Sequence, residues 1–210
     1  MTKIKAIFFD MDGVLIDAKD WHYEALNKAL NFFGMAIDRY DHLVTYDGLP
    51  TKKKLEMLTM EKNLPLGLHP FIYKLKQQYT VNEILVKCKP QFTHQYALSR
   101  LKNEGFRLAV CSNSIGNTIQ LMLERADLLQ YCDFFLSNED VEFCKPHPEM
   151  YVKAMQRLSV GPKECLIIED NPQGLKAAAD SGAYSLEVRD TSDVHYENIM
   201  NRIKEIDREK

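Results

Sequence analysis

The sequence lacks the features that would set it apart from ordinary globular enzymes. No apolar run approaches the roughly 20 residues needed to cross a bilayer, and the start MTKIKAIFFDMD has no signal-peptide layout. Proline and glycine are sparse, 8 and 9 of 210 residues, too few for extended disorder, and there is no repeat or low-complexity tract. The cysteines, Cys88, Cys111, Cys132, Cys144 and Cys165, are scattered with no CxxC or zinc-ligand spacing. Free thiols in a reducing cytoplasm are therefore expected. Nor is there an excess of one charge: 27 basic against 30 acidic residues leave a formal charge of −3. No general field attracts nucleic acid or an anionic membrane, so any phosphate has to be held locally. With 45% apolar residues the chain can bury a sizeable core, as one domain or as one domain with an insertion. Nothing predicts a large exposed apolar interface, and a monomer is the default expectation.

What is present starts at the N-terminal end. Residues 4–9, rich in β-branched and aromatic side chains, read as a buried strand that runs into Asp10-Met11-Asp12-Gly13. Two carboxylates one residue apart stand at its tip, and Gly13 permits a sharp exit. Trp21, Ala25, Ala29 and Phe33 recur every four residues and predict an amphipathic helix ending at Gly34. Further helices are predicted over 51–62 and 70–86, with Pro65, Gly67 and Pro70 breaking the chain between them. No strand signal occurs from 18 to 88. Beyond it the rhythm changes to helix 93–103, strand 107–111, helix 117–129, strand 133–136, helix 148–158, strand 164–168, helix 172–181 and strand 184–188. The charged tail from Arg189 is expected as a loose terminal helix. Such alternation predicts an α/β fold with right-handed crossovers and a parallel sheet covered on both faces, whose ligands sit at the carboxyl ends of the strands. The expected division is a catalytic core of residues 1–16 and 89–210 and a helical insertion of residues 17–88 placed over that edge.

Each of the main strands ends in polar groups. The first ends in Asp10 and Asp12, the second in Ser112-Asn113-Ser114, and the fourth in Glu169-Asp170-Asn171. Cys144-Lys145-Pro146-His147-Pro148-Glu149 lies between strands three and four, and Pro148 suits the first turn of a helix, leaving Lys145 just ahead of it. Asn171 followed by Pro172 is a good N-cap and first helical residue, which would hold Asp170 in a defined position. Strand-end Asp and Asn are also common as caps and turns. Capping explains neither the carboxylate pair nor the lysine.

Asp10-Met11-Asp12-Gly13-Val14-Leu15, Ser112-Asn113-Ser114, Lys145-Pro146 and Glu169-Asp170, in this order and at these intervals, resemble the four signature segments of the haloacid dehalogenase superfamily. The likeness spans the chain apart from its terminal tail. The helical insert resembles the small cap of the β-phosphoglucomutase and phosphoglycolate phosphatase branch, to which the segments Lys145-Pro146-His147-Pro148-Glu149-Met150-Tyr151 and Glu169-Asp170-Asn171-Pro172-Gln173-Gly174 with Ala177-Ala178 add matching detail. The resemblance implies a Rossmann-like core of strand order 5-4-1-2-3 and Mg²⁺-dependent phosphoryl transfer through an aspartyl-phosphate. It gives Asp10 the part of nucleophile and Asp12 that of the acid and base serving the leaving group and the water. Asp10 and Asp170, with a backbone carbonyl at Asp12, would hold Mg²⁺, and Glu169 would support its water shell. Lys145 would supply fixed positive charge, and Ser112 and Asn113 would donate to the phosphoryl group. The expected substrate is a small-molecule phosphate ester.

The insert carries weaker signals. His22 falls one turn into its first helix, where it either faces the site or is solvated or packed. Gly48-Leu49-Pro50-Thr51 followed by Lys52, Lys53 and Lys54 resembles the cap segment that meets substrate, so Lys52 or Lys54 is either a contact for an anionic leaving group or part of a solvated helix start. Arg39 and Lys76 are candidates of the same kind; Asp17 is either a hinge anchor or an exposed loop acid. Ala18 stands where many relatives carry Ser or Thr. A phosphatase, a β-phosphoglucomutase-like isomerase and a receiver-type signalling module remain as readings. A mutase must grip a second phosphate, usually with an arginine, and Thr51 and lysines at that place favour the phosphatase.

Overall fold

Strands and helices follow one another in the computed structural model, which describes residues 2–209. In chain order they are β1 (Ala6–Phe9), α1 (Lys19–Asn31), α2 (Arg39–Asp41), α3 (Thr51–Lys62), α4 (His69–Lys87), α5 (Phe92–Asn103), β2 (Arg107–Cys111) and α6 (Gly116–Arg125). The series continues with β3 (Phe134–Leu136), α7 (Glu149–Leu158), β4 (Cys165–Glu169), α8 (Pro172–Asp180), β5 (Tyr184–Glu187) and α9 (Tyr196–Arg208). The chain divides into two compact units, one formed by the residues up to Asp17 together with those from Lys89, the other by Ala18–Cys88. No helix among the described residues is long and apolar enough to cross a membrane.

The first unit is built on a parallel sheet of order β3-β2-β1-β4-β5, the expected 5-4-1-2-3 read from the other edge. Phe8, Ala109, Cys111 and Ile167 on one face pack with Met150, Tyr151 and Ala154 of α7 and Ala177 and Ala178 of α8. The alternating residues Ile7, Phe9, Leu108, Val110, Leu166 and Ile168 are fully buried too. A strand buried on both faces reads as an unbroken apolar run, which is why AIFF and CLII show no alternation. Gly13 takes φ +95°, and the turn it allows is closed by the Val14, Leu15 and Ile16 amides, all donating to the Met11 carbonyl at 2.9–3.3 Å.

Two elements differ from the sequence reading. The helix expected over 117–129 ends at Arg125, because Asp127 turns left-handed at φ +56° and the Leu128 amide returns to the Leu123 carbonyl at 2.9 Å. This tucks Leu128 into the core. The tail is not loose: α9 buries Ile199, Ile203 and Ile206, a stripe masked in the sequence by the charges between them. Its C-terminal turn is tied to the start of the chain, where the Lys3 ammonium donates to the Ile206 carbonyl at 3.2 Å and the Lys3 amide to Asp207 Oδ1 at 2.8 Å.

The second unit is helical, and no strand lies within it. Leu26 and Leu30 of α1, Leu55 and Leu58 of α3 and Ile72 of α4 form its core with Ile37, Tyr46 and Leu64. Asn27 brackets Ile37, donating to its carbonyl and accepting from its amide at 2.9 Å each. Lys28 of α1 reaches Glu83 of α4 at 2.6 Å and Lys87 of α4 reaches Glu24 of α1 at 3.1 Å, tying the two helices together. The stretch before α3 forms a wide turn, His42–Tyr46, entered through an Asp38 cap on the Asp41 amide.

His42 is buried in that turn, and neither ring nitrogen makes a hydrogen bond among the described residues. Its ring lies 4.7 Å from that of Tyr23, and Asp47 Oδ1 is 3.8 Å from Nε2. Burial first and the Lys54 charge second push its pKa down from 6.5 to about 4, against the pull of Asp47. The fold thus holds the neutral ring, while the unfolded chain takes up a proton near its ordinary pKa. His42 should therefore contribute stability that is complete above pH 6.5 and is lost as the pH falls towards about 4. Urea midpoints measured from pH 7.5 to 4.5 are expected to fall more steeply for the native protein than for His42→Gln; parallel curves would refute the assignment.

Candidate active site

The register of the central strands sets the floor of the site. Phe9 aligns with Val110 of β2 and Ile168 of β4, so the next residues, Asp10, Cys111 and Glu169, come out at one level of the sheet. The Asp10 amide continues the ladder, donating to the Ile168 carbonyl at 3.0 Å. Into this level reaches the Lys145 ammonium, which donates to Asp10 Oδ1 at 2.7 Å, to the Cys111 carbonyl at 2.7 Å and to Glu169 Oε1 at 2.6 Å. A lysine has three N–H donors, so the observed bonds use its full capacity.

The charge balance follows from burial. Lys145 and Glu169 are 4% and 1% exposed, and a buried ion is tolerated only when paired and hydrogen bonded. Burial works against the Lys145 charge, yet Asp10 and Glu169 outweigh it and hold the ammonium well above the ordinary lysine range. Burial raises the Asp10 carboxyl; Lys145 opposes this and Asp12 adds to it. Burial likewise lifts Glu169 to about 7, with Lys145 again opposing. Burial pushes the thiols of Cys111 and Cys165 up to about 12, and all five cysteines are free.

The loops after the strands position the remaining groups. Ser114, at the end of the β2 loop, donates its hydroxyl to Asp12 Oδ2 at 3.0 Å. The Ser112 hydroxyl accepts from the Ser114 amide at 3.1 Å. The Asn113 side chain grips the backbone of Lys145, donating Nδ2–H to its carbonyl and accepting its amide, both at 3.1 Å. This leaves its main chain as the part able to address an anion, and makes the side chain an anchor for the lysine. Asn171 caps α8 on the Gln173 amide at 2.9 Å, and Pro148 stands one residue before α7 as its N-cap.

Asp10, Glu169 and Asp170 offer oxygens that lie within 4.8 Å of one another. This hard, acidic donor set fits Mg²⁺, which prefers a few carboxylates and keeps water in its remaining positions. The Asp12 carboxylate stands outside that group and faces Ser114. The sequence reading had no role for Ser114 or for Tyr151, whose phenol donates to Glu169 Oε1. A hydroxyl three residues beyond the β2 terminus was the available signal for the first.

Within the helical unit, His22 Nδ1 is 3.1 Å from the Lys76 ammonium. Lys76 and Lys54 are both buried, at 6% and 7% exposure, whereas Lys52 and Lys53 are exposed. The reading of Lys52–Lys54 as a uniformly solvated helix start therefore fails at Lys54. Arg39 pairs with Asp20 at 2.5 Å near the surface. Asp17 is exposed, and Ala18 is the N-cap of α1 with no side-chain bond to it.

Comparison with known proteins agrees with this architecture. The profile of the haloacid dehalogenase-like hydrolases matches residues 7–188. A phosphorylated carbohydrates phosphatase of Thermotoga maritima is 28% identical over 180 residues, 85% of this chain and 82% of the relative. A phosphoglycolate phosphatase of Aquifex aeolicus is 28% identical over 179 residues, with the same coverage of 85% and 82%. The crystal structure of a β-phosphoglucomutase from Clostridium difficile superposes with a TM-score of 0.84 at 24% identity, covering 96% of this chain and 98% of that one, a likeness of fold.

Removing the ammonium would leave Asp10 and Glu169 buried face to face. Lys145→Met should lower the unfolding free energy in EDTA by about 3–5 kcal/mol. Lys153→Met, which breaks a surface pair to Glu149 and an exposed bond to the Asp140 carbonyl, should cost less than about 1 kcal/mol. Equal losses in urea denaturation would contradict the charge balance given above.

Proposed function

The chain belongs to the haloacid dehalogenase-like hydrolase family, and from that premise we propose that it is a Mg²⁺-dependent phosphatase of small phosphomonoesters working through an aspartyl-phosphate. The observation that carries the reading is Asp10 at the tip of the central strand, 2.7 Å from a buried, fully bonded lysine ammonium. Phosphoryl transfer asks for an aligned nucleophile and fixed positive charge more than for elaborate acid chemistry. This arrangement offers both.

In the proposed sequence an Asp10 oxygen attacks phosphorus, the P–O bond to the leaving group breaks, and Asp12 gives its proton to the departing alkoxide. Asp12 then takes a proton from water, whose oxygen attacks the phosphorus of the aspartyl-phosphate and returns Asp10 as a free carboxylate with inorganic phosphate released. The Ser114 hydroxyl holds Asp12 in place. Lys145 stabilises the phosphoryl oxygens by charge, and Ser112 and the Asn113 main chain donate to them. Asp10 and Asp170, with the Asp12 carbonyl and Glu169 beside them, are the residues that would hold Mg²⁺, whose chemistry there is neutralisation of the phosphoryl charge.

The substrate class we propose is a sugar, polyol or glycolate phosphate, supported by the names of the two phosphatases 28% identical to this chain. From the helical insert, His22 and Lys54 are proposed to address the substrate. Lys54 is preferred to Lys52 because a lysine is buried at a cost that a solvated one avoids. We further propose that the protein acts as a monomer in a reducing cytoplasm, to which its free thiols are suited.

Phosphate release with Mg²⁺ across phosphorylated sugars, polyols and glycolate is expected to favour one compound, and EDTA to abolish it. Asp10→Asn should lower kcat roughly a thousandfold or more; unchanged turnover sinks the covalent mechanism. Isomerisation of β-glucose 1-phosphate without phosphate release would replace the phosphatase by a mutase. Lys54→Ala should raise KM roughly tenfold, the worth of one hydrogen bond to a charged group, with kcat held within about twofold. A fall in kcat alone would remove Lys54 from substrate binding.

A further inference from the structure

The sheet face that carries Asp10 and Glu169 receives one more polar side chain at the same level. Tyr151 of α7 is fully buried. Its phenol donates to Glu169 Oε1, the very oxygen that accepts from Lys145 at 2.6 Å. Its ring also lies against that ammonium, with Nζ 4.9 Å from the ring centroid. A buried tyrosine needs a hydrogen-bond partner. This one takes an acceptor already bonded to a cation and so completes a triangle of Tyr151, Glu169 and Lys145.

Glu169 is confined a second time. A Cβ placed on Gly174 of α8 would lie 2.1 Å from Cδ and Oε1 of Glu169 and 2.2 Å from Oε2. The carboxylate thus rests directly on the helix backbone, in space that any side chain would fill. Glycine inside a helix costs roughly 0.5–1 kcal/mol relative to alanine. Here the cost secures a seat for one carboxylate. Phenol on one side and bare backbone on the other leave the Glu169 carboxylate one orientation.

We propose that Tyr151 and Gly174 are positioning residues: they lock Glu169 as the fixed second counter-charge of Lys145 and thereby fix the ammonium against the Asp10 nucleophile. Neither touches the phosphoryl group. Lys145 has to satisfy Asp10 and Glu169 together, so a Glu169 free to rotate would let the ammonium follow it away from Asp10. The kinetic consequence rests on the phosphatase reading; the clamp itself does not.

The test is Tyr151→Phe, which keeps the ring and its volume and removes the hydroxyl, with Tyr96→Phe at the surface as control. The first readout is the ¹⁵N–¹H signal of the Lys145 ammonium in the full chain, which a closed set of hydrogen bonds shields from exchange with water. It should be sharp in the native protein and in Tyr96→Phe, and broadened in Tyr151→Phe. The second is hydrolysis by the folded variant, where kcat should fall at least tenfold, within the roughly hundredfold reach of small misplacements, while KM moves less than about twofold. A purely structural tyrosine would alter stability and leave kcat alone. An unchanged ammonium signal in Tyr151→Phe overturns the proposal whatever the enzyme hydrolyses, and a broadened signal with unchanged kcat overturns the positioning role. If the native protein hydrolyses nothing in the panel, the phosphatase reading fails and the ammonium signal alone decides the clamp. Gly174→Ala should broaden the same signal, and a sharp signal in that variant counts against the seat on α8.

Discussion

Everything at the sheet edge answers to one demand, that a lysine ammonium taken out of water keep all its hydrogen bonds. Desolvating such a group is costly, and it stays charged only where acceptors are already in place. Lys145 finds them because three neighbouring strands in register deliver Asp10, the Cys111 carbonyl and Glu169 at one level. The same demand explains Asn113, whose amide holds the lysine's own backbone from the other side. Parallel pairing is usually discussed as a way to bury strands. In this molecule it also sets the spacing of a charge network whose members are far apart in the chain.

The network divides labour between its acids. Asp10 is held by one bond from the lysine and remains the less enclosed carboxylate, at 8% exposure against 1% for Glu169. Glu169 takes donors from both Lys145 and Tyr151 on a single oxygen. The acid at the strand tip is therefore the accessible one, and the deeper acid balances charge. Asp12 is held separately, by the Ser114 hydroxyl on a different loop.

How much of this was legible in the sequence depends on the physics involved. Apolar periodicity and turn residues gave α3 its observed ends at Thr51 and Lys62 and β2 its ends at Arg107 and Cys111. They failed where the decision lay in tertiary packing. The end of α6 is set by a left-handed Asp127, a conformation few residues announce, and α9 is held by isoleucines spaced among charges. The acidic tips, the lysine and the second acidic pair were visible as strand-end polar groups. The side-chain task of Asn113, the choice of Lys54 over Lys52 for burial and the seat under Glu169 on Gly174 were not, because each depends on what lies across a space. Even an ordered set of motifs names the residues without telling which atoms meet.

The central position of β1 carries a consequence for biosynthesis. The strand that ends in Asp10 is made first, yet its partners start at Arg107 on one side and Cys165 on the other. During translation four fully buried apolar residues, Ala6–Phe9, wait without one neighbour until most of the chain has left the ribosome. Closing such long loops is slow, and an unpaired apolar strand is a template for wrong pairings meanwhile. The arrangement that brings distant residues to one level of the sheet therefore makes the earliest strand wait for partners synthesised long after it.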